Sequence, residues 1–261
     1  MLDKERISGI ADELAAAERD RTTIPLLSAR HPEMTVEDSY AVQNEWMRRG
    51  IESGRRLVGR KIGLTSKVMQ EATGITEPDY GAIFADMVFD NGSIIEHSRF
   101  PNVRIEVELA FVLKERLDGP DTTIFDVLQA TDYVVPALEI LASRIEMPGR
   151  TIVDTISDNA AMGGMVYGGN PVAPDAVDLR WVSALLYRNE SIEDTGVAAA
   201  VLNHPAMGVA WLSNKLHAHG AALEAGDIVL AGSFTKPMWV NPGDTVHADF
   251  GELGAITCRF V

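Results

Sequence analysis

The segment RIEVELAFVL, residues 104 to 113, alternates polar or small side chains with large apolar ones over most of its length. This period of two predicts a β-strand, because successive side chains of a strand point to opposite faces of its sheet. Glu106 and Glu108 then lie on one face. The other face carries the apolar residues Ile105, Val107, Leu109 and Phe111. Two carboxylates on a half-buried face raise each other's pKa and resist desolvation, so we expect a cation or a strong donor beside them.

The strand alone leaves a second interpretation of the two glutamates open, since both also fit the solvated outer face of an edge strand. A third carboxylate, Glu139, is isolated in the apolar segment DYVVPALEIL, residues 132 to 141. Three such carboxylates suit a hard divalent cation, Mg²⁺ or Mn²⁺, which prefers oxygen ligands and leaves positions for a chelating substrate. The histidines show no spacing typical of zinc ligands. The pattern therefore predicts a magnesium or manganese site.

Two further polar residues fit either a structural or a catalytic role. Lys61 lies between apolar residues in VGRKIGLT, residues 58 to 65, a position typical of a surface lysine whose stem packs on its neighbours. It equally fits a cation that faces the carboxylates and transfers a proton. Asp79 lies in EPDYG, residues 77 to 81, where the proline and glycine indicate a turn. Local sequence leaves both interpretations open.

Two polar segments are candidate ligand loops. DTISDNAA, residues 154 to 161, gathers short side chains that either satisfy a loop backbone or orient ligand oxygens. AGSFTKP, residues 231 to 237, places the hydroxyls of Ser233 and Thr235 in a polar turn or against a carboxylate. The chain lacks a nucleophile elbow, a phosphate loop and a dinucleotide fingerprint, so triad hydrolysis, nucleotide hydrolysis and dinucleotide binding have no motif support.

The amino-acid composition indicates which classes of binding partner and which cellular compartment to expect. Of 261 residues, 46% are hydrophobic, and the formal net charge is −15. A negative chain without a run of basic residues is a poor partner for nucleic acid or anionic membranes. No apolar stretch reaches about 18 residues, and the charged opening MLDKERISG is unlike a signal peptide. We therefore expect a cytoplasmic protein whose single cysteine, Cys258, is a core residue without a disulfide.

The sequence pattern divides the chain into an N-terminal part with helical periodicity and a remainder of short β-rich runs. One amphipathic helix opens the chain, and Thr35 with Asp38 predicts a capping box for a second helix that ends at Gly54. Further helices are predicted at about 66 to 73, about 124 to 131 and 205 to 219. These features predict an α+β protein in which a helical segment, residues 1–55, packs on a β-rich catalytic domain, residues 56–261, as one compact unit.

Motifs along nearly the whole chain resemble a known enzyme family. They are GRKIGLTS, EPDYGAIF, RIEVELAFVL, DYVVPALEIL, DTISDNAA, AVLNHPAMGVAWLSNKL and LEAGDIVLAGSF. In this order they are similar to the hydratase and decarboxylase branch of the fumarylacetoacetate hydrolase superfamily. The resemblance implies a mixed β-roll with flanking helices, a small-molecule substrate and assembly as a homo-oligomer.

The resemblance also implies roles for individual residues. It places the metal ligands, for Mg²⁺ or Mn²⁺, at Glu106, Glu108 and Glu139. It places the catalytic lysine and aspartate at Lys61 and Asp79. The residues implied to bind substrate are Asp158, Asn159, Ser233 and Thr235.

A reaction class follows from the same resemblance. It implies that the metal holds the carboxylate and 2-oxo oxygens of a 2-oxo or 2-hydroxy-dienoic acid in aromatic catabolism, and that water adds at C4. Motifs such as GLTSKVMQ and GSFTKP are most similar to hydratases of a seven-carbon dioic acid from homoprotocatechuate. Three rival hypotheses are a hydratase of 2-hydroxypenta-2,4-dienoate, a decarboxylase that releases CO₂ from 2-oxohex-3-enedioate, and a non-catalytic partner subunit. A distal carboxylate requires a cation, for which Lys236, Arg144 and Lys67 are candidates.

Overall fold

The computed structural model describes residues 1–66, 70 and 77–261. Its helices are α1 (Lys4–Asp20), α2 (Leu27–Arg30), α3 (Val36–Glu52), α4 (Ile124–Ala130), α5 (Ile152–Ser157) and α6 (Pro205–His217). Its strands are β1 (Leu57–Gly63), β2 (Asp79–Phe84), β3 (Val88–Asp90), β4 (Ile94–Ile95), β5 (Arg104–Leu113), β6 (Thr131–Leu141), β7 (Met162–Tyr167), β8 (Ser183–Arg188), β9 (Ser191–Val197), β10 (Ile228–Leu230), β11 (Met238–Trp239), β12 (Thr245–Asp249) and β13 (Ala255–Phe260). The helix predicted at about 66 to 73 lies mostly outside the described residues, as does Lys67.

The strands form two mixed sheets. The larger runs in the order β2, β1, β10, β5, β6, β7, β3, and β11 also pairs with β5. The smaller runs in the order β4, β13, β12, β8, β9. Parallel pairs such as β1 with β10 and β3 with β7 stand among antiparallel ones. The predicted α+β class with mixed sheets and flanking helices is confirmed.

The predicted alternation along β5 is confirmed. The four apolar side chains of one face, Ile105, Val107, Leu109 and Phe111, are buried in a core that also takes residues from the smaller sheet and α6. The other face of the larger sheet, which carries Glu106 and Glu108, meets a second core. That second core joins Ala110 and Ala137 of the sheet to apolar residues of α1 and α3. The carboxylates therefore lie on the sheet face that the N-terminal helices partly cover.

Helix boundaries follow from capping chemistry. Thr35 and Asp38 form the predicted capping box at the start of α3, and Gly54 follows its end with φ +95°. In α6, Pro205 occupies the first turn, where its missing N–H leaves no helical bond unmade. None of the helices in the described ranges combines the length and hydropathy that a membrane span requires. The division of the chain at residue 55 stays a prediction.

One segment differs from the expected loop. Residues Ile152–Ser157 form the short helix α5, whose start is stabilised by a capping box of Thr151 and Asp154. This capping box was not predicted from the sequence, because the polar residues of the segment also fit a loop. Asp154 also accepts hydrogen bonds from the backbone N–H and the hydroxyl of Ser28, at 3.0 and 2.7 Å. This buried carboxylate joins α5 to α2 near the N-terminus. Cys258, 1% exposed in β13, is a core residue as predicted.

Candidate active site

The register of two antiparallel strands brings three carboxylates together. Glu106 of β5 lies directly opposite Glu139 of β6, and Glu108 follows two residues along the same face of β5. One carboxylate oxygen from each residue lies within 4.8 Å of the others. Glu108 and Glu139 are buried, whereas Glu106 is partly exposed to a cavity. We call these three residues the acidic cluster.

Burial and mutual repulsion make ionisation of the three carboxyl groups of the acidic cluster unfavourable. Burial, followed by the neighbouring Glu139, raises the pKa of Glu106 to about 8. Burial, Glu139 and Glu106 together raise the pKa of Glu108 well above its ordinary value. These shifts have one physical cause, which is that desolvated like charges disfavour one another's ionised form. The arrangement is stable in its ionised form only with a compensating cation.

Lys61 supplies one positive charge. Its Nζ lies 3.0 Å from Oε1 of Glu139, and the two side chains form a buried ion pair. Burial alone would lower the pKa of Lys61, but Glu139, Asp79 and Glu106 raise it above its ordinary value. Only 3% of Lys61 is exposed, which excludes the interpretation of this residue as a surface lysine whose stem packs on its neighbours. The structure therefore brings Lys61 to the acidic cluster.

The contact between Lys61 and Glu139 requires a curled sheet. Three strand steps, β1 to β10 to β5 to β6, separate the two residues. In a flat sheet these steps would span about 14 Å, and the register adds four residues, about 13 Å, along the strands. Two side chains that stand perpendicular to such a sheet would not meet. The curvature encloses the acidic cluster, so local sequence periodicity could not predict this contact.

Asp79 begins β2 instead of occupying a free turn. It is 1% exposed, and neither carboxylate oxygen has a side-chain or backbone hydrogen-bond partner of accepted geometry within the described ranges. Burial raises the pKa of Asp79, Lys61 opposes that shift and Glu139 reinforces it. Its strand partner is Gly63, where an added Cβ would overlap Oδ1 of Asp79. Glycine at position 63 thus leaves room for the carboxylate beside Lys61.

The segment 231–237 is fastened to β5 by polar contacts. The backbone N–H of Gly232 donates to Oε2 of Glu108 at 2.9 Å, and Oγ1 of Thr235 accepts from Val107 N–H at 3.0 Å. The hydroxyl of Ser233 donates to the carbonyls of Val107 and Thr235, at 3.3 and 2.9 Å. Ser233 and Thr235 both line the cavity beside Glu106.

Asp158 and Asn159 make their contacts within the protein. Asp158 accepts from the guanidinium Nε of Arg144 at 2.5 Å and from its backbone N–H at 2.9 Å. Asn159 accepts from Ala82 N–H at 2.7 Å and donates to the Ala82 carbonyl at 2.9 Å. Direct contact of these two side chains with substrate stays a prediction. The hydrogen bonds of Asp158 and Asn159 position the cavity wall. The carboxylate of Asp158 also neutralises the positive charge of Arg144.

Backbone strain is concentrated at this wall. Asn159, Ala160 and Ala161 have φ values of 51°, 51° and 58°, a left-handed conformation that costs non-glycine residues roughly 1–2 kcal/mol each. Ala160 and Ala161 line the cavity, as does Leu64 with φ 56°. Strain of this kind persists where surrounding contacts over-determine the backbone, and it is typical of functional sites.

The cavity has a volume of about 630 Å³ and includes two cations that sequence analysis did not select. Arg104 precedes Glu106 by two residues on the same face of β5, so strand alternation was a signal that could have identified it. Arg150 lies in the segment between β6 and α5, where no periodicity applies. Both side chains join Lys61 in the lining.

The acidic cluster fits a divalent cation. Oε1 of Glu108 and Oε2 of Glu139 are buried and lack a hydrogen-bond partner among the residues described. Orphaned buried carboxylate oxygens are costly unless a cation coordinates them. Three carboxylates without histidine or cysteine suit Mg²⁺ or Mn²⁺ rather than Zn²⁺.

Comparison with known proteins agrees with this geometry. The family model described as fumarylacetoacetate (FAA) hydrolase, C-terminal, matches residues 66–261. The chain belongs to the fumarylacetoacetate hydrolase family. The predicted resemblance is thereby confirmed for the greater part of the sequence.

Curated relatives and a solved structure match all or nearly all of the chain. The 2-oxo-hept-4-ene-1,7-dioate hydratase of Escherichia coli is 55% identical over 267 aligned positions, covering 100% of both chains. The 2-keto-4-pentenoate hydratase of Paraburkholderia xenovorans is 40% identical over 250 positions, covering 96% of this chain and 93% of its own. The structure of 4-oxalocrotonate decarboxylase from Pseudomonas putida G7, complexed with magnesium and adipate, has a TM-score of 0.98 at 32% identity, covering 100% of this chain and 99% of its own.

Proposed function

We propose that this protein is a divalent-metal-dependent hydratase that converts 2-oxohept-4-ene-1,7-dioate into 4-hydroxy-2-oxoheptane-1,7-dioate in aromatic catabolism. The observation that carries the proposal is the 55% identity, over the full length, with the Escherichia coli hydratase of that substrate. The acidic cluster beside Lys61 and Asp79 supplies the chemistry that such a reaction needs. Magnesium in a structural neighbour with a TM-score of 0.98 supports the choice of metal.

The acidic cluster holds the metal in this proposal, through Glu106, Glu108 and Glu139. When bound, the divalent cation supplies Lewis-acid polarisation of the 2-oxo group of the substrate. Lys61 lies within ion-pair distance of Glu139 and donates a hydrogen bond to substrate oxygen as negative charge develops there. The positive charge of Lys61 thereby stabilises the enolate form.

Proton movement falls to Asp79 together with Lys61. The reaction removes a proton from C3 and adds one at C5, which shifts the double bond to C3 and C4. The oxygen of water then bonds to C4, its released proton is taken up by a base, and C3 regains a proton. Burial raises the pKa of Asp79, so its carboxyl group exchanges protons closer to neutral pH than an exposed aspartate does.

Thr235 is the better-placed hydroxyl for the substrate carboxylate. Its Oγ1 already accepts from Val107 N–H, and within the described part of the chain its own hydrogen has no observed acceptor. Ser233, by contrast, donates its hydrogen to backbone carbonyls. In the proposed complex Thr235 donates to substrate, and Ser233 keeps the loop in position. Asp158 and Asn159 act on the pocket through the backbone that they hold.

The proposal extends to the state and setting of the protein. It includes a small 2-oxo or 2-hydroxy-dienoic acid as the partner, a cytoplasmic location and a homo-oligomeric assembly. A net charge of −15 disfavours nucleic acid and anionic membrane surfaces as partners, which fits the proposed location. The cationic side chains Lys61, Arg104 and Arg150 in the cavity lining suit a small carboxylic acid. Family resemblance supports the homo-oligomeric assembly.

One rival reaction has a specific observation in its favour. The decarboxylase neighbour shares the fold with a TM-score of 0.98, and the same cluster suits the loss of CO₂ from a 2-oxo dioic acid. The 32% identity to that neighbour is lower than the 55% identity to the hydratase. Released CO₂ or a 4-hydroxy product separates the two reactions.

The test is incubation of purified protein with Mg²⁺ and a panel of 2-hydroxy-dienoates of five, six and seven carbons. We expect the seven-carbon dioate to gain one water, as read by mass spectrometry, with loss of its ultraviolet absorbance. Chelation of the metal should stop the reaction. Loss of CO₂ instead of water uptake would assign the decarboxylase activity, and no consumption of any dienoate would exclude both reactions.

A mutational arm ties the activity to the site. Lys61→Ala should lower the hydration rate by about 100-fold or more, since general acid–base and electrostatic groups contribute on that order. Glu115→Gln, which changes an exposed residue far from the cavity lining, is the control and should hydrate at the unaltered rate. Full activity in the Lys61 variant would remove this residue from the mechanism.

A further inference from the structure

The cavity beside the acidic cluster contains two arginines that form no ion pair with any carboxylate of the described residues. Arg104 and Arg150 both line it, together with Lys61 and Glu106. Neither arginine forms an ion pair with any residue in the described ranges. Arg144, close to Arg150 in sequence, shows the contrast, because Asp158 neutralises it at 2.5 Å.

Arg104 is held in place by contacts with neutral side chains of the described residues. Its Cζ lies 5.5 Å from the centroid of the Trp239 ring, and Nη2 donates to the sulfur of Met147 at 3.7 Å. Its Nε is buried without a hydrogen-bond partner among the described residues. A thioether is a weak acceptor, so this guanidinium retains strong donors for an anion.

The hydrogen-bond acceptors of Arg150 among the described residues are neutral groups. Nη1 donates to the hydroxyl of Ser143 at 2.7 Å, and Nη2 donates to the hydroxyl of Thr155 at 3.1 Å. Nη1 also approaches the sulfur of Met147 at 3.4 Å, so the two arginines share a neighbour. Its Nε, like that of Arg104, is buried and has no partner in the described part of the chain.

Two adjacent unpaired cations in a half-buried wall are unfavourable without an anion. The chain carries 38 acidic residues against 23 basic ones, yet none of the described carboxylates pairs with these guanidinium groups. A bound anion is the partner that this wall lacks.

We propose that Arg104 and Arg150 bind the distal carboxylate of the substrate and make the enzyme selective for dicarboxylic over monocarboxylic 2-oxo acids. This inference rests on the proposed function, because it takes the acidic cluster as the end that holds C1 and C2. Arg104 lies two residues, about 7 Å, from Glu106 along β5. A seven-carbon chain held at the acidic cluster then extends along the strand toward the two arginines.

The other candidate cations are less suitable. The side chain of Lys236 is exposed and does not line the cavity, although Thr235 and Pro237 on either side of it do. Arg144 is paired with Asp158, and Lys67 lies outside the described residues. Planar guanidinium groups also match the two oxygens of a carboxylate, which a lysine ammonium does not.

The test uses binding of two unreactive probes in the presence of Mg²⁺. The probes are 2-oxoheptanedioate and 2-oxoheptanoate, which share the chelating end and the chain length and differ only in the distal carboxylate. Titration calorimetry should show that wild-type protein binds the dioate about 10- to 100-fold more tightly than the monoacid. No preference in the wild-type protein would overturn the proposal.

Variants locate the source of that preference. Arg150→Gln and Arg104→Gln should each reduce the dioate preference by about 10-fold or more while leaving monoacid affinity within a few-fold of wild type. The monoacid also reports whether each variant still folds and holds the metal. Equal loss for both probes would instead place the arginines at the C1 carboxylate or in the scaffold, and would overturn the proposal.

A control variant tests whether the arginines are the source of the preference, and the choice of probes separates this inference from the hydratase proposal. Lys236→Gln removes an exposed cation close to the same loop and should keep the full preference; loss of preference in this variant alone would assign the distal contact to Lys236 and refute the arginine proposal. Because the probes cannot be hydrated, a dioate preference that depends on Arg150 stands even where no dienoate is turned over. Conversely, hydration without any preference retains the proposed function and removes the inference.

Discussion

Asp79 shows how one glycine determines the position of a charged side chain. Its carboxylate packs over Gly63, the residue opposite it on β1, and lies beside Lys61. A side chain at position 63 would occupy the space that the carboxylate needs. The glycine of the segment RKIGLT thus has a steric explanation that does not involve a turn, since it is the last residue of strand β1 and pairs with Asp79.

Gly63→Ala should therefore impair catalysis more than folding. The added Cβ overlaps Oδ1 of Asp79 and moves the carboxylate by about 1 Å, a displacement that can lower a rate by about 100-fold. Steady-state kinetics should show the loss in kcat. Circular dichroism should remain that of the wild-type protein.

The matched control is Gly9→Ala in α1. An added Cβ at this position meets no atom within 4 Å, and alanine is favoured over glycine inside a helix. Wild-type kcat is expected. If both substitutions left kcat unchanged, the steric role of Gly63 would be disproved.

Among the secondary-structure elements, α5 depends on one buried aspartate. Asp154 accepts hydrogen bonds from Thr151 at the start of α5 and from Ser28 in α2. Burial opposes ionisation, but these hydrogen bonds dominate and hold the pKa of Asp154 below its ordinary value. A six-residue helix has little stability of its own, so these contacts position the cavity wall that follows it.

Asp154→Asn should lower the free energy of unfolding by about 2 kcal/mol, the magnitude typical of hydrogen bonds to a charged group. Urea denaturation measures this difference. The folded pKa is lowered, so the contribution of the carboxylate is present above the ordinary value of 3.8 and is lost as the pH falls through the folded value. The gap between variant and wild type should narrow below about pH 3.8.

A second capping box provides the comparison. Thr123 and Asp126 cap α4 in the same way, but both residues are exposed. Asp126→Asn should destabilise the protein less than Asp154→Asn. Equal effects from the two substitutions would show that capping, and not the contact with Ser28, accounts for the stability.

At the scale of the whole molecule, binding of a divalent cation at the acidic cluster should stabilise the folded protein. The three carboxylates converge only in the folded sheet, so a divalent cation binds the native state in preference to the unfolded chain. Mg²⁺ at 100 times its dissociation constant should raise the free energy of unfolding by about 2.7 kcal/mol. Thermal denaturation with and without a chelator measures the increment.

Glu139→Gln tests whether the increment arises at the acidic cluster. Removing one of the three carboxylates proposed to hold the metal should abolish most of the Mg²⁺-dependent increase in melting temperature. Glu115→Gln removes an exposed carboxylate outside the acidic cluster and should keep the full increase. An unchanged increase in the Glu139 variant would place the metal elsewhere.

Much of the fold could be predicted because its signals are local. The capping box at Thr35, the boundaries of α6 and the alternation along β5 each depend on residues within a few positions of one another. The short helix α5 was missed, since its polar residues fit a loop equally well until Ser28 and Asp154 are seen in contact. Family resemblance, not periodicity, singled out Lys61 and Asp79 as catalytic.

The sequence by itself determined that Glu106 and Glu108 share one face of a strand and that their charges require compensation, because side-chain direction in a strand alternates residue by residue. Only the tertiary structure decided that Lys61 meets Glu139 across three strand steps and that Arg150 comes beside Arg104. Those contacts depend on strand order and sheet curvature. Both arise from packing of the whole chain, and no short segment encodes them.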